Sequence, residues 1–99
     1  LLTPAQKKYL KGEAHTLSPV VQLGKAGLSD SLIKETISSL AAHELIKVKV
    51  MQDKEERDQI ASTLSKSSES ELVSVLGNMI ILYKPKKDPA KRKFKLPKS

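Results

Sequence analysis

Between Val20 and Val50 the spacing of apolar residues changes period twice, and few folds accommodate both changes in so short a span. "VVQLG" is a β-branched apolar run between Pro19 and Gly24, which reads as a short strand. After a turn, Leu32, Ile33, Thr36, Ile37, Leu40 and Ala41 fall at steps of one, three and four. That spacing forms one face of a helix ending near His43. Ile46, Val48 and Val50 then alternate with Lys47 and Lys49, a strand with one buried face and one wet face. Strand, helix and strand in succession make a crossover unit whose two strands can run parallel.

The flanks extend this unit. Thr3 before Pro4 is a capping residue followed by a proline suited to the first helical turn, so a short helix runs to about Gly12 or His15. Asp53 with Glu56 three residues on resembles a capping box, opening a helix whose buried stripe is Ile60, Ala61 and Leu64. "ELVSVLGNMIILYK" holds two apolar strands joined at Gly77-Asn78, a pair that supplies the positive φ of a tight hairpin. The expected order is α-β-α-β-α-β-β. The expected architecture is an α+β (α/β two-layer) fold: a four-stranded mixed sheet with helices on at least one face. Its first three strands run parallel by right-handed crossovers, and the hairpin adds an antiparallel fourth.

Charge matters once it is located. Residues 1–83 hold ten Lys/Arg and ten Asp/Glu, whereas residues 84–99 hold eight Lys/Arg and one Asp, so the net +7 sits in the last sixteen residues. That stretch, rich in lysine and proline with little to bury, reads as a flexible basic tail suited to a polyanion or simply to solubility. No apolar run is long enough to span a bilayer, and no charged and then apolar leader opens the chain. The absence of cysteine removes disulfides and thiolate metal sites and fits a reducing compartment, with the cytoplasm as the expected location.

The turn in the first crossover is "GKAG", Gly24 to Gly27, followed by Ser29 as a helix cap and Asp30 in the first helical turn. Glycines so placed either allow a bend that side chains forbid or let something come very close. A helix N-terminus favours an anion, and Lys25 adds a point charge, the logic by which a GXXG loop clamps a single-stranded backbone. A plain strand-to-helix turn uses the same residues. A mononucleotide loop needs Gly-x4-Gly-Lys-Ser/Thr, and a dinucleotide loop needs a third glycine, so both are rejected.

Catalytic material is sparse. His15 and His43 are the two histidines, and His43 is expected to cap the last carbonyls of its helix. The acids Asp53, Glu55, Glu56 and Asp58 read as a helix N-terminus stabilised by the dipole rather than as a metal site. Neither an enzyme, nor a cofactor, nor a small-molecule substrate is expected. Tyr9, Tyr83 and Phe94 are too scattered for a stacking platform, and Tyr83 reads as a core residue with a wet hydroxyl.

"QKKYLKGEAHTLSPVVQLGKAG", "HELIKVKV" and "VLGNMIILYKP" together resemble the CRM domain in its small bacterial, YhbY-like form, over roughly residues 4–85. The resemblance implies a fold like the C-terminal domain of translation initiation factor 3. It also implies RNA binding, and association of the bacterial proteins with precursors of the large ribosomal subunit. Plant relatives use several copies in organelle intron splicing. The division it suggests is a domain over residues 1–84 and the tail over 85–99. The family's RNA-contacting loop maps onto Gly24, Lys25, Ala26 and Gly27. Further candidate contacts are Lys7, Lys8 and Lys11 on the first helix, Lys47 and Lys49 on the open strand face, and Lys84, Lys86 and Lys87. Lys84 stands where an arginine is common in the family, which keeps the charge but loses the planar fork. The expectation is a monomeric, non-enzymatic ribosome assembly factor. Its rivals are a protein-binding adapter using the apolar hairpin edge, and an RNA-acting enzyme using His43 or Glu44.

Overall fold

The computed structural model describes residues 2–97. Its elements are α1 (Pro4–Ala14), β1 (Val21–Leu23), α2 (Asp30–His43), β2 (Leu45–Val50), α3 (Lys54–Ser67), β3 (Glu71–Leu76) and β4 (Met79–Tyr83), with a 3-10 turn at Pro89–Lys91. Each helix starts where a side chain satisfies a backbone donor that the helix cannot. Thr3 Oγ1 accepts from the Gln6 N–H at 3.1 Å while Gln6 Oε1 accepts from the Thr3 N–H at 3.0 Å, a reciprocal box with Pro4 inside it. Ser29 Oγ accepts from the Leu32 N–H, and Asp53 Oδ1 from the Glu56 N–H.

The sheet order is β1-β2-β4-β3. β1 pairs parallel with β2, and β4 pairs antiparallel with both β2 and β3. The first three strands therefore run the same way, as expected, but the last strand is inserted between the second and third. The composition of β4 explains its place. "MIILY" has no polar alternation, and four of its five residues are buried, as a strand covered on both faces requires.

α2 and α3 cover one face over Leu23, Leu40, Val48, Leu64, Ile80 and Leu82. α1 covers part of the other face, where Leu10 and Ala14 meet Leu45, Val73, Ile81 and Tyr83. Helices therefore lie on both sides of the sheet. Along α2 the buried stripe is narrower than the apolar spacing suggests. Thr36 is buried with its hydroxyl on the Leu32 carbonyl, whereas Ile37 is 40 % exposed.

The expectation of little to bury after Lys84 is corrected at Phe94 and Leu96. Both pack on the α1-side core, and the Phe94 ring meets Tyr83 edge to face at 6.4 Å between centroids. Two further bonds hold this segment: the Lys93 N–H donates to Glu44 Oε1 at 2.8 Å, and Gln6 Nε2 donates to the Pro97 carbonyl at 2.9 Å. Lys98 and Ser99 of the basic stretch lie outside the described residues. The capping role expected of His43 is also corrected. His43 is exposed with no hydrogen bond of its side chain, and it is Lys93 Nζ that reaches the Ala42 carbonyl, at 3.4 Å.

Tyr83 is buried, as expected of a core residue. Burial first, and then the Glu44 carboxylate, push its pKa above the ordinary 10.0, while Arg92 pulls the other way. A raised tyrosine pKa means that its contribution to stability is full below pH 10 and is lost as pH rises through the folded-state value. Phe94 gives the test of the packed C-terminal segment. Phe94→Ala removes a half-buried ring and is expected to lower unfolding stability by about 1–2 kcal/mol, read from the urea midpoint. An unchanged midpoint would mean that the ring adds nothing to the core.

Candidate nucleic-acid interface

Because β1, β2 and β3 run the same way, the turns that follow them meet at one end of the sheet. The carboxyl ends of like-running strands are where open α/β sheets take ligands. Two hydrogen bonds tie these turns together. Gln52 Nε2 donates to the Gly24 carbonyl at 2.7 Å, and the Val50 N–H donates to the Asn78 carbonyl at 2.8 Å. Gln52 was not singled out from the sequence, because an amide after a strand has no pattern to mark it.

The two glycines of GKAG differ. The turn is closed by the Gly27 N–H on the Gly24 carbonyl at 3.1 Å, and Gly27 has φ +79°, a conformation that side chains disfavour. Gly27 is therefore there for the bend. Gly24 has no such angle, and a Cβ built on it would meet nothing within 4 Å. The fold itself has no need of glycine at that position. Lys25 and Ala26 are exposed. At the start of α2, Ser29 already takes one backbone N–H, and Asp30 sets a negative charge in the first turn. Both offset the positive helix end, which leaves the loop backbone and Lys25 as the features that favour an anion. A hollow of about 290 Å³ lies between the loop and α3, but Glu56 lines it and opposes a phosphate there.

The candidate lysines separate into two groups. Lys47 and Lys49 alternate onto the face that carries α1, both half-buried. Lys47 Nζ donates to the His15 carbonyl at 3.3 Å. Together with Lys8, Lys11 and His15, it borders a groove of about 410 Å³ floored by Leu76 and Ile81. Lys7 is exposed and does not line the groove. Lys84, Lys86 and Lys87 follow β4, which runs against its neighbours, so they lie at the far end of the sheet from Gly24. Lys84 is engaged there, its Nζ on the Ser68 carbonyl at 3.3 Å. The sequence marks all of these lysines alike; strand direction divides them.

Leu76 escapes sequence reasoning for a different reason. In a regular strand it reads as one more core residue, but the pairing of β3 shifts between Leu72 and Ser74, leaving Val73 as an extra residue. This bulge lets Leu72 and Val75 both pack on the α2 and α3 side. It also turns Leu76 onto the α1 face, beyond the cover of that helix and 43 % exposed.

Residues 2–84 match the CRS1 / YhbY (CRM) domain family. The chain belongs to that family. It is 45 % identical over 89 residues to a Bacillus subtilis protein named "Probable RNA-binding protein YqeI", covering 89 % of this chain and 93 % of that one. A Haemophilus influenzae protein named "RNA-binding protein" is 38 % identical over 98 residues, covering 98 % of this chain and 96 % of that one. Neither name is that of an enzyme. Among solved structures, the solution structure of the hypothetical protein SAV1595 from Staphylococcus aureus superposes with a TM-score of 0.86 at 40 % identity. The match covers 98 % of this chain and all of that one.

The contrast between the two glycines is open to test by thermal or urea unfolding. Gly27→Ala forces a Cβ into the left-handed region and is expected to cost about 1–2 kcal/mol. Gly24→Ala is expected to leave stability unchanged or raise it by up to about 1 kcal/mol, through the unfolded chain. Equal losses at both positions would mean that Gly24, too, is required by the fold.

Proposed function

We propose that this protein is a non-enzymatic RNA-binding protein that contacts the RNA backbone through its GXXG loop. We further propose that its target is ribosomal RNA in precursors of the large subunit, where it acts as an assembly factor in the cytoplasm. The observation that carries the loop assignment is Gly24. It is a glycine that neither backbone angle nor internal packing requires, beside the exposed Lys25 and at the end of the sheet where three turns converge. Close approach by a sugar-phosphate backbone is a reason for such a residue. Family membership and the names of the relatives support RNA as the partner. The ribosomal target rests on the behaviour of the bacterial members of the family that the chain resembles.

The side chains fit a binding role. His15 and His43 are both exposed, one after α1 and the other at the end of α2. Glu44 is buried, with Oε1 on the Lys93 N–H, and is withdrawn from solvent and from any substrate. Binding of the purified protein to large-subunit ribosomal RNA, against an unrelated RNA of equal length over a salt series, tests the proposal. The wild type is expected to prefer the ribosomal RNA near physiological salt. Gly24→Asp, which has room for its side chain, is expected to lose that preference. Lys25→Ala should lower the slope of log K against log salt by about one unit. If Gly24→Asp binds as tightly as the wild type, the loop is not the clamp. If both proteins bind either RNA equally and salt erases that binding, a protein-docking role is the better reading.

A further inference from the structure

Resting on the RNA-binding reading, we propose that the groove between α1 and the sheet receives an unpaired nucleotide of the bound RNA. Its base would lie against Leu76 over the Ile81 floor, and its phosphates against Lys8, Lys11 and Lys47. The consequence is a preference for single-stranded over duplex RNA.

Three observations converge on this groove. The first is charge. Lysines border it from α1 and from β2, and no acid among the described residues lines it; Glu13, the one acid of α1, is not part of its wall. A polyanion is the occupant this complements. The second is the floor. Leu76 is 43 % exposed among these lysines, with Ile81 beneath it, an arrangement that offers little to a bare phosphate but gives an apolar surface to a base. A volume of about 410 Å³ lies within the range of roughly 300–1,000 Å³ typical of small-ligand clefts. In a duplex the bases are stacked inside and presented only at groove edges, so a duplex cannot fill this floor.

The third observation is position. Leu76 immediately precedes the Gly77-Asn78 turn, at the same end of the sheet as Gly24. β3 and β1 are separated by three inter-strand spacings, roughly 14 Å. That distance suits a short single strand of the kind a GXXG loop holds, about four nucleotides in KH domains. The strip between the two places carries Lys49, which pairs with Gln22 on one side and Met79 on the other.

Fluorescence anisotropy with a labelled eight-nucleotide oligouridine, and with a blunt duplex of the same length, over a salt series separates the contributions. The wild type is expected to bind the single strand more tightly than the duplex. Leu76→Ser changes a side chain already 43 % exposed and is expected to fold, which the urea midpoint checks. It is expected to weaken single-strand binding roughly three- to eightfold, scaled from burial of about half of the surface now exposed. The salt slope and the duplex affinity should stay unchanged, because no charge is removed. Replacing Lys8 and Lys11 by Ala should lower the salt slope by about 0.7 per lysine on the single strand.

If the wild type binds the oligonucleotide and Gly24→Asp abolishes that binding, but Leu76→Ser binds as the wild type does, the groove proposal is overturned and the loop assignment stands. Equal losses of single-strand and duplex affinity in Leu76→Ser would also overturn it. If the wild type shows only weak binding that moderate salt erases, the RNA-binding reading falls and the groove proposal falls with it.

Discussion

The insertion of β4 between β2 and β3 is the pairing on which the rest of the molecule depends. It sets two edges, β1 and β3, and two central strands, and it gives β4 an apolar residue for each face at every step. Ile80 and Leu82 serve the core under α2 and α3, while Ile81 and Tyr83 serve the one under α1. A single five-residue strand thus joins two cores that share no helix. Placed at the edge, the same strand would lose one of its two pairing neighbours.

The insertion also determines where function can sit. With β4 antiparallel, the other three strands point one way, and the turns after Leu23, Val50 and Leu76 gather at one end. The sole departure from regular pairing within the sheet's described ladders, the bulge at Val73, adjusts what that end displays by turning Leu76 outward. An exposed leucine beside lysines, and a glycine with free space around it, are both losses to a fold considered alone. They lie at the same end of the sheet, which is what a shared surface requires.

Helix and strand identities were legible because they follow from local spacing and caps: Thr3, Ser29 and Asp53 each begin a helix, and the run of Val48 and Val50 between lysines marks a strand. The GKAG turn and its position before α2 were legible for the same reason. Strand order was not, because periodicity says which face a residue takes and nothing about which strand lies beside it. Phe94 and Leu96 were hidden among lysines whose composition argues for solvent, and the packing of both depends on surface that α1, Leu45 and Tyr83 leave open. Glu44 entered the sequence reading only as a candidate residue of the rival enzyme, with no structural role assigned to it. Its φ of +64° ends α2, and its buried carboxylate holds the Lys93 N–H while its second oxygen has no hydrogen-bond partner. Both features cost free energy, and the hydrogen bond is non-local, since its partner lies 49 residues away.

The excess charge follows β4 and so sits at the far end of the sheet from the GKAG loop. Lys84, Lys86 and Lys87 are separated from the Gly24 turn by the length of β4, five residues or roughly 17 Å. That is about two Debye lengths at physiological ionic strength, so these cations add little to the potential felt by a phosphate held at Lys25. On the proposed reading, an RNA gripped at the loop and groove would meet the basic C-terminal segment either through a second stretch of the same RNA or only through faster encounter. The folded-back path of residues 93–97 favours the first: Phe94, Leu96 and the Lys93 N–H hold the segment against the body, giving Lys91, Lys93 and Lys95 a surface to stand on. Fixed cations at one end and a glycine loop at the other suit a molecule that touches an extended polyanion at two separated places, with the precise contacts at the end where the backbone can approach.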